Sequence, residues 1–278
     1  MSILKLLEDF TTEKLTMAPS SRRQMFGSMG SLGKKAAMAA IPFGLAATTG
    51  KAKAATTAAA MQTYPNSSLQ LALVLEYLEA DFYARALDSG VLANYPKAEA
   101  IYWQISKHET AHVNLLKGAL GDNAFDAPEF DFTAGGNFDP FGDDGTNDAV
   151  AYAQLLILAQ AFEDTGVRAY KGQATNLMND PALLTVALQI HSVEARHASE
   201  IRRLRGLKGW ITGDDRGMGV PPIGQAVYVH EDNTTQGGVD VTTLGDGSPF
   251  TFESSTEAYD EPLTSNDAGA IAALFLQN

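Results

Sequence analysis

Apolar residues recur with a helical period along four stretches of the chain. The first runs from about Ser68 to Leu87 behind the start signal Asn66-Ser67-Ser68, the second from about Pro96 to Leu120, the third from about Asp148 to Gln173 and the fourth from about Pro181 to Leu204. Local punctuation agrees with these bounds. Asp180 can cap the fourth helix, and Pro181 fits its first turn, where a missing N–H leaves nothing unpaired. Gly121 and Gly206 follow the last apolar positions of the second and fourth stretches and suit helix ends. About eight residues join the first helix to the second, and the third to the fourth, whereas about 27, Gly121 to Asn147, separate the second from the third. Short links make antiparallel neighbours, and the long one is a crossover. The expected fold is an all-α four-helix bundle of two antiparallel hairpins, spanning residues 66–207.

The crossover is both acidic and aromatic. Asp122, Asp126, Glu129, Asp131, Asp139, Asp143 and Asp144 lie in it without any Lys or Arg, and Phe125, Phe130, Phe132, Phe138 and Phe141 recur among them. The phenylalanines are expected to staple the segment to the bundle while the carboxylates stay solvated. Beyond Trp210 the helical period is lost. Gly, Pro, Thr and Asp dominate there, Ala226-Val227-Tyr228-Val229 is a short β-prone run, and Asn266 to Leu276 reads as a closing helix. Residues 208–278 are thus expected to form an irregular extension packed on the bundle.

Charge divides the chain. The net charge of the 278 residues is −13, yet residues 1–54 hold eight Lys/Arg against three Asp/Glu. Within that basic head, Ser21-Arg22-Arg23-Gln24-Met25-Phe26 carries paired arginines. Ala36 to Thr49 is weakly apolar, broken by Pro42 and too short to span a bilayer, and Ala52-Lys53-Ala54 is a small-x-small cleavage site. Residues 1–54 resemble a twin-arginine signal peptide, which implies export to a bacterial periplasm by the twin-arginine machinery. The acidic body excludes a basic nucleic-acid footprint. The absence of Cys excludes disulfide scaffolds, thiol catalysis, Cys-ligated zinc and iron–sulfur clusters.

Two of the five histidines share a local pattern. Glu109-Thr110-Ala111-His112 and Glu194-Ala195-Arg196-His197 each place a carboxylate and an imidazole on one helix face, one turn apart. The first and third helices answer with Glu76 and Glu163, each followed seven residues later by a tyrosine on the same face, Tyr83 and Tyr170. The hairpins read as halves of an internal duplication. A pseudo-twofold axis would bring Glu76, Glu109, His112, Glu163, Glu194 and His197 to the bundle centre. Four carboxylates there would carry about −4 of charge into a low dielectric. Two divalent cations would balance it, and imidazole with carboxylate suits iron or manganese. Glu79 competes with Glu76 as the first-helix ligand, but only Glu76 reproduces the Glu-to-Tyr spacing. Asp164, about 100° around the helix from Glu163, is expected to face solvent or to support a ligand. His191, one turn before Glu194 on the same face, is a candidate third ligand, and the preferred reading is that it hydrogen-bonds a ligand. Arg196, Arg202, Arg203 and Arg205 are expected to pair with acids or form a solvated face.

The order Glu, Glu-x-x-His, Glu, Glu-x-x-His resembles that of bacterioferritin and the rubrerythrins. More closely, the chain is similar to the ferritin-like family that includes plant desiccation-related proteins. The residues that carry this are Leu75-Glu76-Tyr77-Leu78-Glu79 with Phe82-Tyr83, Val193-Glu194-Ala195-Arg196-His197-Ala198 and Ala258-Tyr259-Asp260-Glu261-Pro262-Leu263. The resemblance implies a ferritin-like bundle with two iron ions, manganese being the alternative. It implies terminal ligands Glu76 and Glu163, bridging ligands Glu109 and Glu194, and one histidine, His112 or His197, on each metal. No Cys-ligated electron-transfer module accompanies the bundle, and the long C-terminal extension argues against a cage, though not against a homodimer. The activity implied is a non-haem oxidoreductase of peroxidase or ferroxidase type acting on O2 or peroxide. A stress- or desiccation-associated structural protein stapled by its metal is one alternative, and a manganese catalase-like enzyme is another.

Overall fold

The computed structural model describes residues 68–245 and 250–277; the signal-peptide reading of residues 1–54 and the start signal at Asn66-Ser67 lie outside them. Four long helices dominate: α1 (Ser68–Asp88), α2 (Pro96–Leu120), α3 (Asp148–Gln173) and α4 (Pro181–Leu204). The expected punctuation is in place. Asn147 accepts a hydrogen bond from the Val150 N–H at the start of α3, and Asp180 accepts from Ala182 and Leu183 at the start of α4. Pro96 and Pro181 occupy first turns. α1 packs along α2, α3 along α4, and the hairpins meet through α1 with α3 and α2 with α4. The architecture is an all-α bundle; β pairing among the described residues is the short ribbon of β1 (Thr235–Gln236) and β2 (Val239–Asp240) and an isolated antiparallel bridge between Phe130 and Leu276. Among the described residues no helix is long and apolar enough to cross a membrane.

The crossover is held as its aromatics suggest. Phe130, Phe132 and Phe138 are buried. Phe132 packs 5.4 Å from Phe82, between ring centroids. The end of the chain lies beside this segment: the Asp131 N–H donates to Phe275 O at 2.7 Å and the Gln277 N–H to Glu129 O at 3.0 Å. Two further helices belong to the extension, α5 (Phe252–Thr256) and α6 (Ser265–Ala273), and α6 packs on both α1 and α3.

This extension changes what α3 is. Every residue from Leu155 to Tyr170 is buried, so over that stretch the helix has no solvent face. A helix enclosed all round must pair each polar side chain it carries. Arg168, fully buried, donates to the carbonyls of Val227, Val229 and Glu261 and pairs with Glu231 at 2.6 Å. The β-prone run Ala226–Val229 forms no strand: Pro222–Tyr228 is a 3-10 helix, and the carbonyls of Val227 and Val229 serve the guanidinium instead of a sheet. The reading of Asp164 is corrected. It is buried, accepts from Arg202 Nη2 at 2.5 Å and Nε at 3.2 Å, and accepts from the Tyr228 hydroxyl at 2.8 Å. The helical wheel assumed water behind α3, and the extension fills that place.

Contact between α3 and the extension reaches the backbone. The Leu263 N–H donates to Arg168 O at 3.0 Å. A Cβ on Gly172 would stand 1.9 Å from Leu263 O. Alanine normally stabilises a helix interior relative to glycine; here the sign should reverse. Gly172→Ala is expected to lower stability by about 3 kcal/mol, the upper range for overpacking, read as a shift of the urea midpoint. A neutral or stabilised variant would show that the extension is not clamped there.

Candidate metal centre

The glutamates point inward from all four long helices. Glu76 on α1, Glu109 on α2, Glu163 on α3 and Glu194 on α4 are fully buried, His197 is buried and His112 partly so. The structure brings these six residues together as two groups. One holds Glu76, Glu109, His112 and Glu194; the other holds Glu109, Glu163, Glu194 and His197. Within each, one donor atom per residue lies within 4.8 Å of all the others. Glu109 and Glu194 belong to both groups.

The contacts inside these groups are too many for hydrogen bonds alone. His112 Nδ1 lies 3.1 Å from oxygens of Glu76, Glu109 and Glu194. His197 Nδ1 lies 3.0, 3.2 and 3.3 Å from oxygens of Glu109, Glu163 and Glu194. One imidazole nitrogen has at most one proton to donate, so it cannot satisfy three carboxylates. The deficit is visible, since Glu109 Oε1 and both Glu194 oxygens are buried without a hydrogen-bond partner. Unpaired buried oxygens facing a nitrogen lone pair form a donor set for a cation, and oxygen with imidazole suits iron, manganese or zinc.

Each tyrosine serves the opposite hairpin. Tyr83 on α1 donates to Glu163 Oε1 at 2.5 Å, and Tyr170 on α3 donates to Glu76 Oε1. The spacing of seven puts each tyrosine on the inward face of its helix, and packing then delivers its hydroxyl across the pseudo-twofold axis. Both hydroxyls hold one carboxylate oxygen while the second oxygen of each glutamate faces a histidine.

Electrostatics express the same shortage of positive charge. Burial raises Glu76 well above the usual carboxylate range, against the pull of His112. Burial likewise raises Glu163 despite His197, and raises Glu79 with Glu194 adding to it. The histidines move the other way. Burial by itself would lower His112, but the carboxylates of Glu109, Glu194 and Glu76 push it up to about 12. His197 is also pushed up, its desolvation overcome by Glu163 and Glu109. Burial would raise Glu194, and the two histidines bring it down to about 2. Without a metal, the cluster draws protons to do a cation's work. The residues therefore fit two divalent cations, which would neutralise the carboxylates and take the imidazole nitrogens as neutral ligands.

Two residues beside the cluster play parts that differ from, or go beyond, the sequence reading. His191 Nδ1 bonds Val167 O at 3.0 Å and neither joins the donor groups nor supports a ligand, because the carbonyl on α3 captures it. Glu79 stays outside both donor groups, as the Tyr spacing favoured, yet it is buried at 2% exposure beside them. A third, His108, gave no signal in the sequence. Its Nδ1 lies 2.8 Å from His197 Nε2, and its Nε2 lies 2.6 Å from the terminal amide of Gln104. Only its position one residue before the Glu-x-x-His pair could have drawn attention to it.

A family model described as a ferritin-like domain matches residues 66–207. No curated protein matches the chain.

Proposed function

This chain belongs to the ferritin-like domain family, and from that premise we propose that its bundle holds two divalent metal ions, iron by preference, and acts as an oxidoreductase toward O2 or peroxide. The observation that carries the reading is the pair of donor groups sharing Glu109 and Glu194. Glu76 and His112 would hold one ion, Glu163 and His197 the other, and Glu109 and Glu194 would reach both. When bound, a redox-active pair supplies two electrons at one place, which is what one step of O2 or peroxide reduction consumes.

The chain's own residues set the conditions. Tyr83 and Tyr170 hold Glu163 and Glu76 in place from opposite hairpins. Water is kept away by apolar packing. A cavity of about 20 Å³ is lined by Ala72, Leu75, Leu116, Ala169, Ile190 and Tyr170, and the Tyr170 hydroxyl bonds Glu76. Apolar walls leave such a space dry and open to a small apolar molecule. The twin-arginine pattern of residues 1–54 supports export to the periplasm, a route that suits a bundle folded around its metal beforehand.

Anaerobic reconstitution with Fe(II) tests this reading. It is expected to leave about two ions per chain after gel filtration, and mixing with O2 or peroxide is expected to oxidise them with a change in visible absorption. Metal at trace level after reconstitution overturns the proposal. Oxygen evolution from peroxide by manganese-loaded protein alone would replace it with the catalase-like reading. Metal uptake without any reaction would leave the structural one.

A further inference from the structure

Two of the breaks in the internal duplication lie beside the cluster, and both fall on one side. Aligning Glu76 with Glu163 sets Glu79 of α1 against Gly166 of α3. Aligning Glu109 with Glu194 sets His108 of α2 against Val193 of α4. Resting on the two-metal reading above, we infer that the metal positions are unequal: the one held by Glu163 and His197 binds tightly, and the one held by Glu76 and His112 binds weakly and exchanges.

The first break supplies charge. Gly166 lies inside a helix, where glycine is less favourable than alanine. Its use is space: a Cβ there would stand 3.3 Å from Glu79 Oε1 and 3.4 Å from Glu194 Cγ. Glu79 thus extends from α1 to the α3 backbone, one turn past Glu163. Glu194 and then Glu163 dominate the charge it feels, ahead of Glu109 and Glu76. A fifth buried carboxylate on the Glu163 side raises the attraction for a cation there, and the Glu76 side has no counterpart because the equivalent position is glycine.

The second break fixes a ring. His197 can offer its Nδ1 lone pair to a cation only as the tautomer protonated at Nε2. That proton needs an acceptor, and His108 Nδ1 stands 2.8 Å away. The two rings are nearly coplanar at 11° with centroids 5.1 Å apart, the edge-to-edge placement that an in-plane N–H···N bond requires. His108 then carries its own proton on Nε2 and donates it toward Gln104. The structure sets Gln104 Nε2 2.6 Å from His108 Nε2; an amide flip, which exchanges nitrogen for oxygen at that place, gives the proton its acceptor when His197 binds a cation. His108 is a positioning residue in this chain of contacts: it sets the tautomer and orientation of His197. His112 has no such support. Among the described residues nothing bonds its Nε2, and its side chain is 12% exposed against 6% for His197.

Titration of metal-free full-length protein with Co(II), anaerobically, by calorimetry and visible absorption, tests the inequality. The wild type is expected to show two steps at least about tenfold apart in affinity, the scale that support behind a metal-bound histidine usually contributes. His112→Ala should keep the tight step and lose the weak one, and His197→Ala should do the opposite. His108→Leu should weaken the tight step about 10–100-fold without moving the weak one. His108→Gln, which keeps an acceptor for His197 Nε2–H, should recover most of the loss. Glu79→Gln should weaken the same step. Circular dichroism confirms that each variant folds. Two equal steps in the wild type, a tight step that survives His197→Ala, or a His108→Leu variant that binds like wild type would each overturn the inequality. No Co(II) binding at all would instead remove the two-metal reading beneath it.

Discussion

Glu194→Ala is expected to leave the chain unable to retain either metal ion, whereas His112→Ala removes only one. The difference follows from the shared donors: Glu194 contributes to both groups, and its two oxygens face opposite histidines, Oε1 lying 3.1 Å from His112 Nδ1 and Oε2 3.3 Å from His197 Nδ1. Removing it opens both positions at once. The expected consequence extends to stability. A ligand present at about a thousand times its Kd stabilises the folded state by about 4 kcal/mol, which for a domain of this size corresponds to a Tm increase of roughly 10 °C. Chelation should therefore lower the Tm of the reconstituted wild type by about 10 °C and leave that of Glu194→Ala unmoved. Metal content by elemental analysis, paired with thermal scans with and without chelator, reads both outcomes. A variant that keeps both ions, or a wild type indifferent to chelation, contradicts the placement of Glu194 between the two positions.

The other large effect lies away from the metal centre, at Arg168. Its guanidinium is wholly buried among Val227 O, Val229 O, Glu261 O and the Glu231 carboxylate, and Glu231 is itself buried. Breaking one partner of a buried pair leaves an uncompensated charge and costs about 3–5 kcal/mol. Arg168→Met keeps much of the volume and loses every one of these bonds. It should lower stability by about that amount and expose the chain beyond residue 208 to limited proteolysis. The loss should depend on pH with a definite sign. Burial pushes Glu231 up to about 7 from an ordinary 4.5, against the attraction of Arg168. A raised carboxyl pKa means that the folded state binds the proton more tightly, so the contribution of this group is fully present below about pH 4.5 and is lost as the pH rises through 7. Without Arg168, an ionised Glu231 keeps the Glu261 N–H at 2.9 Å but has no cation beside it. The destabilisation should be larger at pH 8 than at pH 5. Removing both charges together, with Arg168→Met and Glu231→Gln, should restore part of the stability. A uniform loss across that pH range would mean that the guanidinium contributes through packing and its carbonyl bonds alone.

How far the sequence reached depends on the kind of interaction. The four long helices were legible with their ends because their causes are local: a 3.6-residue apolar period, Asp180 with Pro181, and glycine at positions 121 and 206. The pairing of hairpins followed from linker length. The six clustered residues could be chosen from spacing because Glu-x-x-His places two groups on one face whatever the helix packs against. Roles assigned from one helix at a time fared worse. Asp164 was expected to face water or support a ligand and is instead locked to Arg202 and Tyr228. Val227 lies in a run that is β-prone by composition, yet its carbonyl is taken by Arg168.

By itself, then, the sequence determined the helices, their order, the antiparallel hairpins and the inward register of Glu76, Glu109, His112, Glu163, Glu194 and His197, since each of these rests on periodicity within a single segment. Only the tertiary structure decided that α3 is enclosed from Leu155 to Tyr170, that Tyr83 and Tyr170 serve the opposite hairpin, that Glu79 extends toward Gly166, and that His108 stands behind His197. Those outcomes depend on which element fills the space beside a helix. That is settled by packing between segments far apart in the chain, for which the local pattern carries no record.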